Sequence, residues 1–357
     1  MNQTCITIIG VGNGGQAMAG HCAALGLRVC LYNRSLEHVF PIVQSHLIIL
    51  KGALEEKGYV ELITDNIEEA VRFADIILIV TTATAHRDIA ERMLPYLKEG
   101  QTIILNPGRT CGVLEFSSVL SKRSSLKVQI AEAQTLVYAC RILSPGVVNV
   151  IGVKDKVMLA GRNRCETEYV LNQIKSVFSC FIPGKNLIHT SLENIGAIFH
   201  PSVVLFNAAT IERNTPFYFY RDITPNIASF IQKLDQERLK IGEAYGVQLM
   251  SACDWITYAY PGTWGDGLCE RMRNNPAYHD ILGPGSIFTR QLTEDIPTGL
   301  IPMSELGHKV GVLTPLMDAV IELSSVLLDI DFRKQGRTLK NLGLSHLGKE
   351  DVLKLLS

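Results

Sequence analysis

Apolar positions along the chain change their period near its middle. Residues 5–9 (CITII) form a short β-branched run closed by Gly10, the pattern of a strand buried on both faces of a parallel sheet. The spacing turns helical over 14–25 and stops at Gly26, and a second strand pattern follows at 28–32 (RVCLY), which together make a βαβ unit. Further apolar runs at 59–63, 75–80, 102–105, 128–131, 147–152 and 156–160 alternate with helical patterns, which predicts a doubly wound parallel sheet. From residue 166, Val170, Leu171, Ile174, Val177 and Phe178 repeat at helical spacing until Pro183, Gly184 and Lys185 interrupt them. Beyond that break, helical stripes cover 191–213, 227–245 and 315–330, and strand patterns all but vanish. The expected architecture is an α/β N-terminal domain over residues 1–183 and an all-α C-terminal domain over 184–357.

Length agrees with two domains, since 357 residues is roughly twice the usual domain size and lets each half bury its own core. Two domains leave a cleft for a small molecule. The 34 Lys and Arg balance 35 Asp and Glu, so a nucleic-acid or membrane-surface partner is not expected. The cluster Arg333, Lys334, Arg337 reads as a solvated face. Nine cysteines, an odd number without a CxxC pair, argue against a zinc site or a disulfide framework and for reduced thiols in the cytoplasm. The opening residues MNQTCITIIG run straight into a strand pattern and do not read as a signal peptide, and no stretch approaches eighteen apolar residues. Oligomeric state stays open, a homodimer included.

The first candidate chemistry is GVGNGG, in which Gly10, Gly12 and Gly15 make GxGxxG between a strand and a helix. Gly10 permits the tight turn, Gly12 lets a pyrophosphate approach the backbone, and Gly15 lets helix pack closely on strand. Free N–H groups at the helix start, from Asn13 and Gly14 onward, favour the negative charge of a dinucleotide. This makes the N-terminal half a Rossmann domain, with Thr81 and Thr82 after the 75–80 strand as further cofactor contacts. The second strand ends in Tyr32, Asn33, Arg34 and Ser35, without the acid that usually holds the ribose of NAD. Arg34 and Ser35 suit a 2′-phosphate, so NADP is favoured over NAD; otherwise Arg34 is a surface residue and Asn33 holds the ribose.

Several segments together resemble the NAD/NADP octopine/nopaline dehydrogenase family, the opine dehydrogenases: GVGNGGQAMAGHCAALG (10–26), ADIILIVTTATAH (74–86), GQTIILNPGR (100–109), AEAQTLVYACR (131–141), FHPSVVLFNA (199–208) and TRQLTEDIPTGLIPMSELG (289–307). The resemblance implies reductive condensation of an amino acid with a 2-oxo acid through an imine. It implies catalysis by His200 with Asp295 as its partner, Arg290 on the substrate carboxylate, and Cys140 more loosely on the substrate side.

Read without the family, His200 precedes Pro201 in an apolar helical stretch, so a kink or helix start is expected there. Glu193, His200 and Asn207 are spaced by seven, one polar stripe on that helix, which makes Asn207 a substrate-side candidate. A core histidine is the bland competitor. Pro284, Gly285 and Pro297 bracket Arg290 and Asp295, which predicts a loop or short turn rather than a long helix, and such a pair is more often a surface ion pair. Reduction of an imine or carbonyl asks for a proton donor near neutral pKa, which an imidazole backed by a carboxylate supplies. His86 reads as a surface residue, and Trp255, Trp264 and the Phe217–Tyr220 run read as packing. Two other functions stay in view: a reductase of the ketopantoate or 6-phosphogluconate type that needs no amine, and a non-catalytic NADPH sensor.

Overall fold

The computed structural model describes residues 4–123, 125–260 and 262–356. Met1–Gln3, on which part of the leader reading falls, lie outside them. The chain divides into two compact units, Met1–Thr190 and Ser191–Ser357, a few residues beyond the Pro183–Gly184 break. Among the described residues no helix is long and apolar enough to cross a membrane.

Among the described residues the first unit contains twelve strands: β1 (Cys5–Ile9), β2 (Arg28–Tyr32), β3 (Leu47–Gly52), β4 (Lys57–Tyr59), β5 (Leu62–Thr64), β6 (Ile76–Ile79), β7 (Thr102–Leu105), β8 (Gln129–Ala133), β9 (Tyr138–Ser144), β10 (Val147–Val153), β11 (Val157–Gly161) and β12 (Phe181–Pro183). Eight of them form one sheet in the order β12-β11-β8-β7-β6-β1-β2-β5. From β5 to β8 every pairing is parallel and the sequence order is the doubly wound 3-2-1-4-5-6; β11 then runs antiparallel to β8. Central strands such as β6 and β7 are buried along their whole length, which is why they read as unbroken apolar runs rather than alternating ones.

A second sheet, β4-β3-β10-β9, departs from the single sheet that the pattern predicts. The run at 147–152 is β10, paired parallel to β3 and antiparallel to β9, and the run at 59–63 splits between β4 of this sheet and β5 of the large one. Helix α1 (Asn13–Ala24) lies between the sheets, and its core is continuous with theirs. Its residues are small or apolar on nearly every side, as a helix covered from both faces requires. A Cβ on Gly20 would press on Ile48 of β3, and one on Gly58 of β4 would come within 2.2 Å of the Gly20 carbonyl.

Among the described residues the second unit is helical, apart from one isolated bridge between Tyr218 and Leu282. The longest helix, Pro225–Ala244, begins with a Thr224 side-chain cap and a proline in its first turn, where the missing N–H costs nothing. Helices Gly196–Phe206, Ile301–Val310 and Pro315–Leu328 complete the body of this unit.

Candidate active site

In the first unit the glycine loop has the geometry that a dinucleotide requires. Gly10 sits at φ +111, where an L side chain is strained, and its missing Cβ faces the Val80 carbonyl at 2.6 Å. A Cβ on Gly15 would come within 1.9 Å of the Gly10 carbonyl, so α1 can approach β1 only with glycine there. Around Gly12 nothing lies within 4 Å of where a Cβ would be. That open face stands over the start of α1, whose first turn has neither an acidic residue nor a side-chain cap, so its N–H groups suit a pyrophosphate. The loop lies where β1 meets β6 and strand order reverses, and Thr81 packs against Gly10.

Other residues proposed for the cofactor divide by what their side chains do. Asn13 Oδ1 accepts from the Ile142 N–H at 2.8 Å, so its side chain ties α1 to β9. Gln16 does the same one turn later, accepting from Gly146 N–H. Asn33 donates to the Ser35 carbonyl at 2.6 Å and fixes the turn after β2, on which Arg34 is exposed. Thr81 donates to the Thr82 carbonyl and Thr84 to the Thr82 hydroxyl. A Cβ on Gly14 would meet Leu136 at 2.8 Å. His86 is not on the surface: it opens helix His86–Met93 fully buried, edge-on to Phe116.

In the second unit His200 and Asp295, 95 residues apart, are joined by a 2.7 Å contact between Nδ1 and Oδ2. A carboxylate only accepts, so Nδ1 carries the hydrogen, and in the neutral ring Nε2 accepts from the Tyr220 hydroxyl 3.0 Å away. Asp295 is almost wholly buried, whereas the imidazole keeps 24 % of its surface exposed. The pair meets because two helices approach closely: a Cβ on Gly299 would lie 2.4 Å from that of Ala197. His200 lies three residues after Ala197 and Asp295 four before Gly299, so both face the same seam.

Two local expectations change here. Pro201 neither starts nor ends the helix, which begins at Gly196 and runs through it to Phe206. Glu193 precedes this helix and Asn207 ends it, so the three polar residues do not share one helical stripe. Asp295 lies on the short-turn side of its expectation: it opens a π-helical turn, Ile296–Leu300, between the short helix Arg290–Thr293 and helix Ile301–Val310. Pro297 and Pro302 each fall in the first turn of their segment, where proline is tolerated, and π turns gather at functional sites.

The remaining candidates have their own partners. Arg290 forms a two-point ion pair with Glu294 at 2.7 and 3.0 Å, and its side chain is mostly exposed. Asn207 donates to the Val203 carbonyl and closes the end of the His200 helix. Cys140 lies on β9, and burial pushes its thiol up to about 11, so it is a neutral thiol rather than a nucleophile. Tyr220, expected only to pack, is a partner of the imidazole; its hydroxyl gave no signal inside an aromatic run. Arg337 is buried rather than solvated, and its N–H donates to the Pro297 carbonyl of the π turn.

Comparison with known proteins matches each half of the chain to a family model. Residues 183–328 match the model of the NAD/NADP octopine/nopaline dehydrogenase α-helical domain, and residues 5–108 that of the NAD-binding domain of 6-phosphogluconate dehydrogenase. The chain is 41% identical over 342 residues to an opine dehydrogenase of Arthrobacter sp. (strain 1C), covering 95% of each chain. A solved octopine dehydrogenase in complex with NADH and agmatine has the same fold, with a TM-score of 0.81 at 19% identity over 98% of both chains. Yersinopine dehydrogenase with NADP+ bound also matches, with a TM-score of 0.76 at 15% identity over 99% of this chain and 98% of that one.

Proposed function

This chain belongs to the NAD/NADP octopine/nopaline dehydrogenase family, NAD(P)H-dependent oxidoreductases that reductively condense an amino acid with a 2-oxo acid, and on that premise we propose which side chains do the work. His200 is the general acid and base, Asp295 orients its ring, and Arg290 grips the oxo acid's carboxylate. The 2.7 Å contact between His200 and Asp295 carries this reading. A buried carboxylate behind the ring fixes the tautomer that leaves Nε2 able to exchange a proton, and it stabilises the cation formed when Nε2 takes one. Tyr220 holds Nε2 in the resting arrangement and yields that position to the substrate heteroatom. Arg290 offers two parallel hydrogen bonds to a carboxylate if Glu294 shares or releases it. Cys140 belongs to the substrate side as a neutral thiol, and Asn207 acts through the helix end that it closes.

When bound, the dinucleotide supplies the reducing electrons. Gly10, Gly12, Gly14 and Gly15, with the backbone at Asn13, hold its pyrophosphate, and Thr81 and Thr82 flank that loop. Arg34 and Ser35 take a 2′-phosphate, which makes NADPH the preferred reductant and Asn33 the residue that shapes their turn. We further propose a cytoplasmic enzyme, on the strength of nine thiols without a disulfide among the described residues, and a homodimer, which sedimentation checks. Family membership sets aside the amine-free reductase and the sensor.

The test is NADPH oxidation with pyruvate and a panel of amino acids in wild type and His200→Ala, with NADPH binding followed separately by fluorescence. We expect a turnover loss of about 10²–10⁴-fold with binding retained. Turnover within about threefold of wild type would remove His200 from the chemistry. Arg34→Ala should weaken NADPH by at least about tenfold and leave NADH unchanged; equal effects on both would remove the preference.

A further inference from the structure

The helical unit contains a cavity of about 690 Å³ lined by Arg221, Trp264, Arg273, Asn275, His279 and Asp280, a size that suits a small organic molecule. Nothing in the proposed chemistry uses it. Its polar groups are held in place by the fold. Arg273 Nε donates to the Ile223 carbonyl at 2.8 Å, and the Arg221 guanidinium lies over the Tyr218 ring. Arg221 also reaches His279 at 3.4 Å, and its distance to Asp222 is a loose 3.9 Å. Asp280 accepts from His279 Nδ1 and is largely exposed, so the one carboxylate in the lining lies toward solvent.

Asn275 is the decisive residue. It is fully buried, and its Oδ1 accepts from the Ala277 N–H, capping the turn Pro276–Tyr278. Its Nδ2 makes no hydrogen bond among the described residues. A buried donor left without an acceptor is unfavourable, and native proteins rarely leave one so unless something outside the chain completes it. A buried N–H donor in the same cavity as two anchored guanidinium groups calls for an anion with several oxygens. Trp264, exposed at the rim, adds an apolar face for a short aliphatic stem.

We propose that this cavity binds a small carboxylate, with Asn275 Nδ2, Arg221 and Arg273 as its donors. The same turn connects it to the imidazole. The Tyr278 ring stacks on that of Tyr220 at 3.9 Å, and the Tyr220 hydroxyl contacts His200, so an occupied cavity bears on the residue beside Nε2. The carboxylate has two sources: the side chain of an acidic amino acid that the enzyme consumes, or a carboxylic acid that binds without being consumed. Only the first rests on the proposed function, and binding is tested without turnover.

The experiment is isothermal titration of the cofactor-free protein with glutarate, L-glutamate and, as the uncharged control, glutaramide. Wild type should bind glutarate saturably in the millimolar range or tighter. Asn275→Asp keeps the Ala277 cap but replaces the donor with a second negative charge, and it should weaken binding at least tenfold. Arg221→Gln should do the same with circular dichroism unchanged, which separates lost contacts from lost fold. In the turnover assay with pyruvate, oxidation driven by glutamate whose KM rises in Asn275→Asp identifies a substrate. Glutarate binding without glutamate turnover identifies an effector. Absence of saturable binding by either acid, or equal affinity in wild type and both folded variants, overturns the proposal. An active His200→Ala enzyme would overturn the catalytic reading and leave this binding result intact.

Discussion

His200 presents two nitrogens to two different partners, and the proposed chemistry turns on that asymmetry. Asp295→Asn keeps the shape but lets the side chain donate, which stabilises the wrong tautomer; kcat should fall by at least about 10²-fold, with amino-acid KM changed much less. A comparable fall in affinity instead would mean that Asp295 serves binding. Tyr220→Phe removes one hydrogen bond, worth about 0.5–1.5 kcal/mol, so kcat/KM should change by no more than about tenfold and its pH profile should shift. An unaltered pH profile would make Tyr220 a packing residue. At this scale the sequence was legible in part. The resemblance paired His200 with Asp295 through the His-Pro helix and the Arg-x4-Asp segment, and the structure brings the two into contact, whereas Tyr220 was hidden because an aromatic run reads as core whether or not one hydroxyl is engaged. Arg337 was misread for the converse reason: three basic residues close together look solvated, and nothing local reveals that the π turn covers one of them.

Among elements, the seam between helix Gly196–Phe206 and the π turn sets the spacing of the proposed catalytic pair. Gly299→Ala would press two Cβ atoms to 2.4 Å and force these segments apart. We expect overpacking of about 1–3 kcal/mol by denaturant melts, with a loss of kcat larger than that stability change explains. Normal kcat in a destabilised but folded variant would show that the seam does not set the geometry. Gly15→Ala, whose Cβ would fall 1.9 Å from the Gly10 carbonyl, should abolish NADPH binding in a fluorescence titration while the helical unit stays folded. The large sheet was readable where its strands are short apolar runs, as in β1, β6 and β7. The second sheet was not: β9 is mostly half-buried or exposed, its mixed pattern YACRILS lacks clean alternation, and β3 and β10 pair across about a hundred residues of chain.

For the whole molecule, pH dependence has one source that can be isolated. Burial, reinforced by Arg109, pulls Lys154 down from 10.5 to about 8, although its ammonium donates to Thr135 and the Leu136 carbonyl. A lowered folded value means that the unfolded chain holds this proton more tightly. Its contribution is fully present above 10.5, and it is lost as pH falls through 8. Urea melts from pH 7 to 10.5 should therefore show wild type gaining stability relative to Lys154→Met as pH rises; parallel curves would contradict the assignment.

Because Asn13 and Gln16 spend their side chains on the backbone of the β9–β10 hairpin, the entrance of α1 is a structural joint as well as the proposed phosphate cradle. An engineer who wants to exchange one nicotinamide coenzyme for another should leave that joint alone and work at Arg34 and Ser35. There the chain turns outward after β2 and redesign disturbs no second sheet. On the proposed assignment, what grips every dinucleotide is separate from what chooses between them.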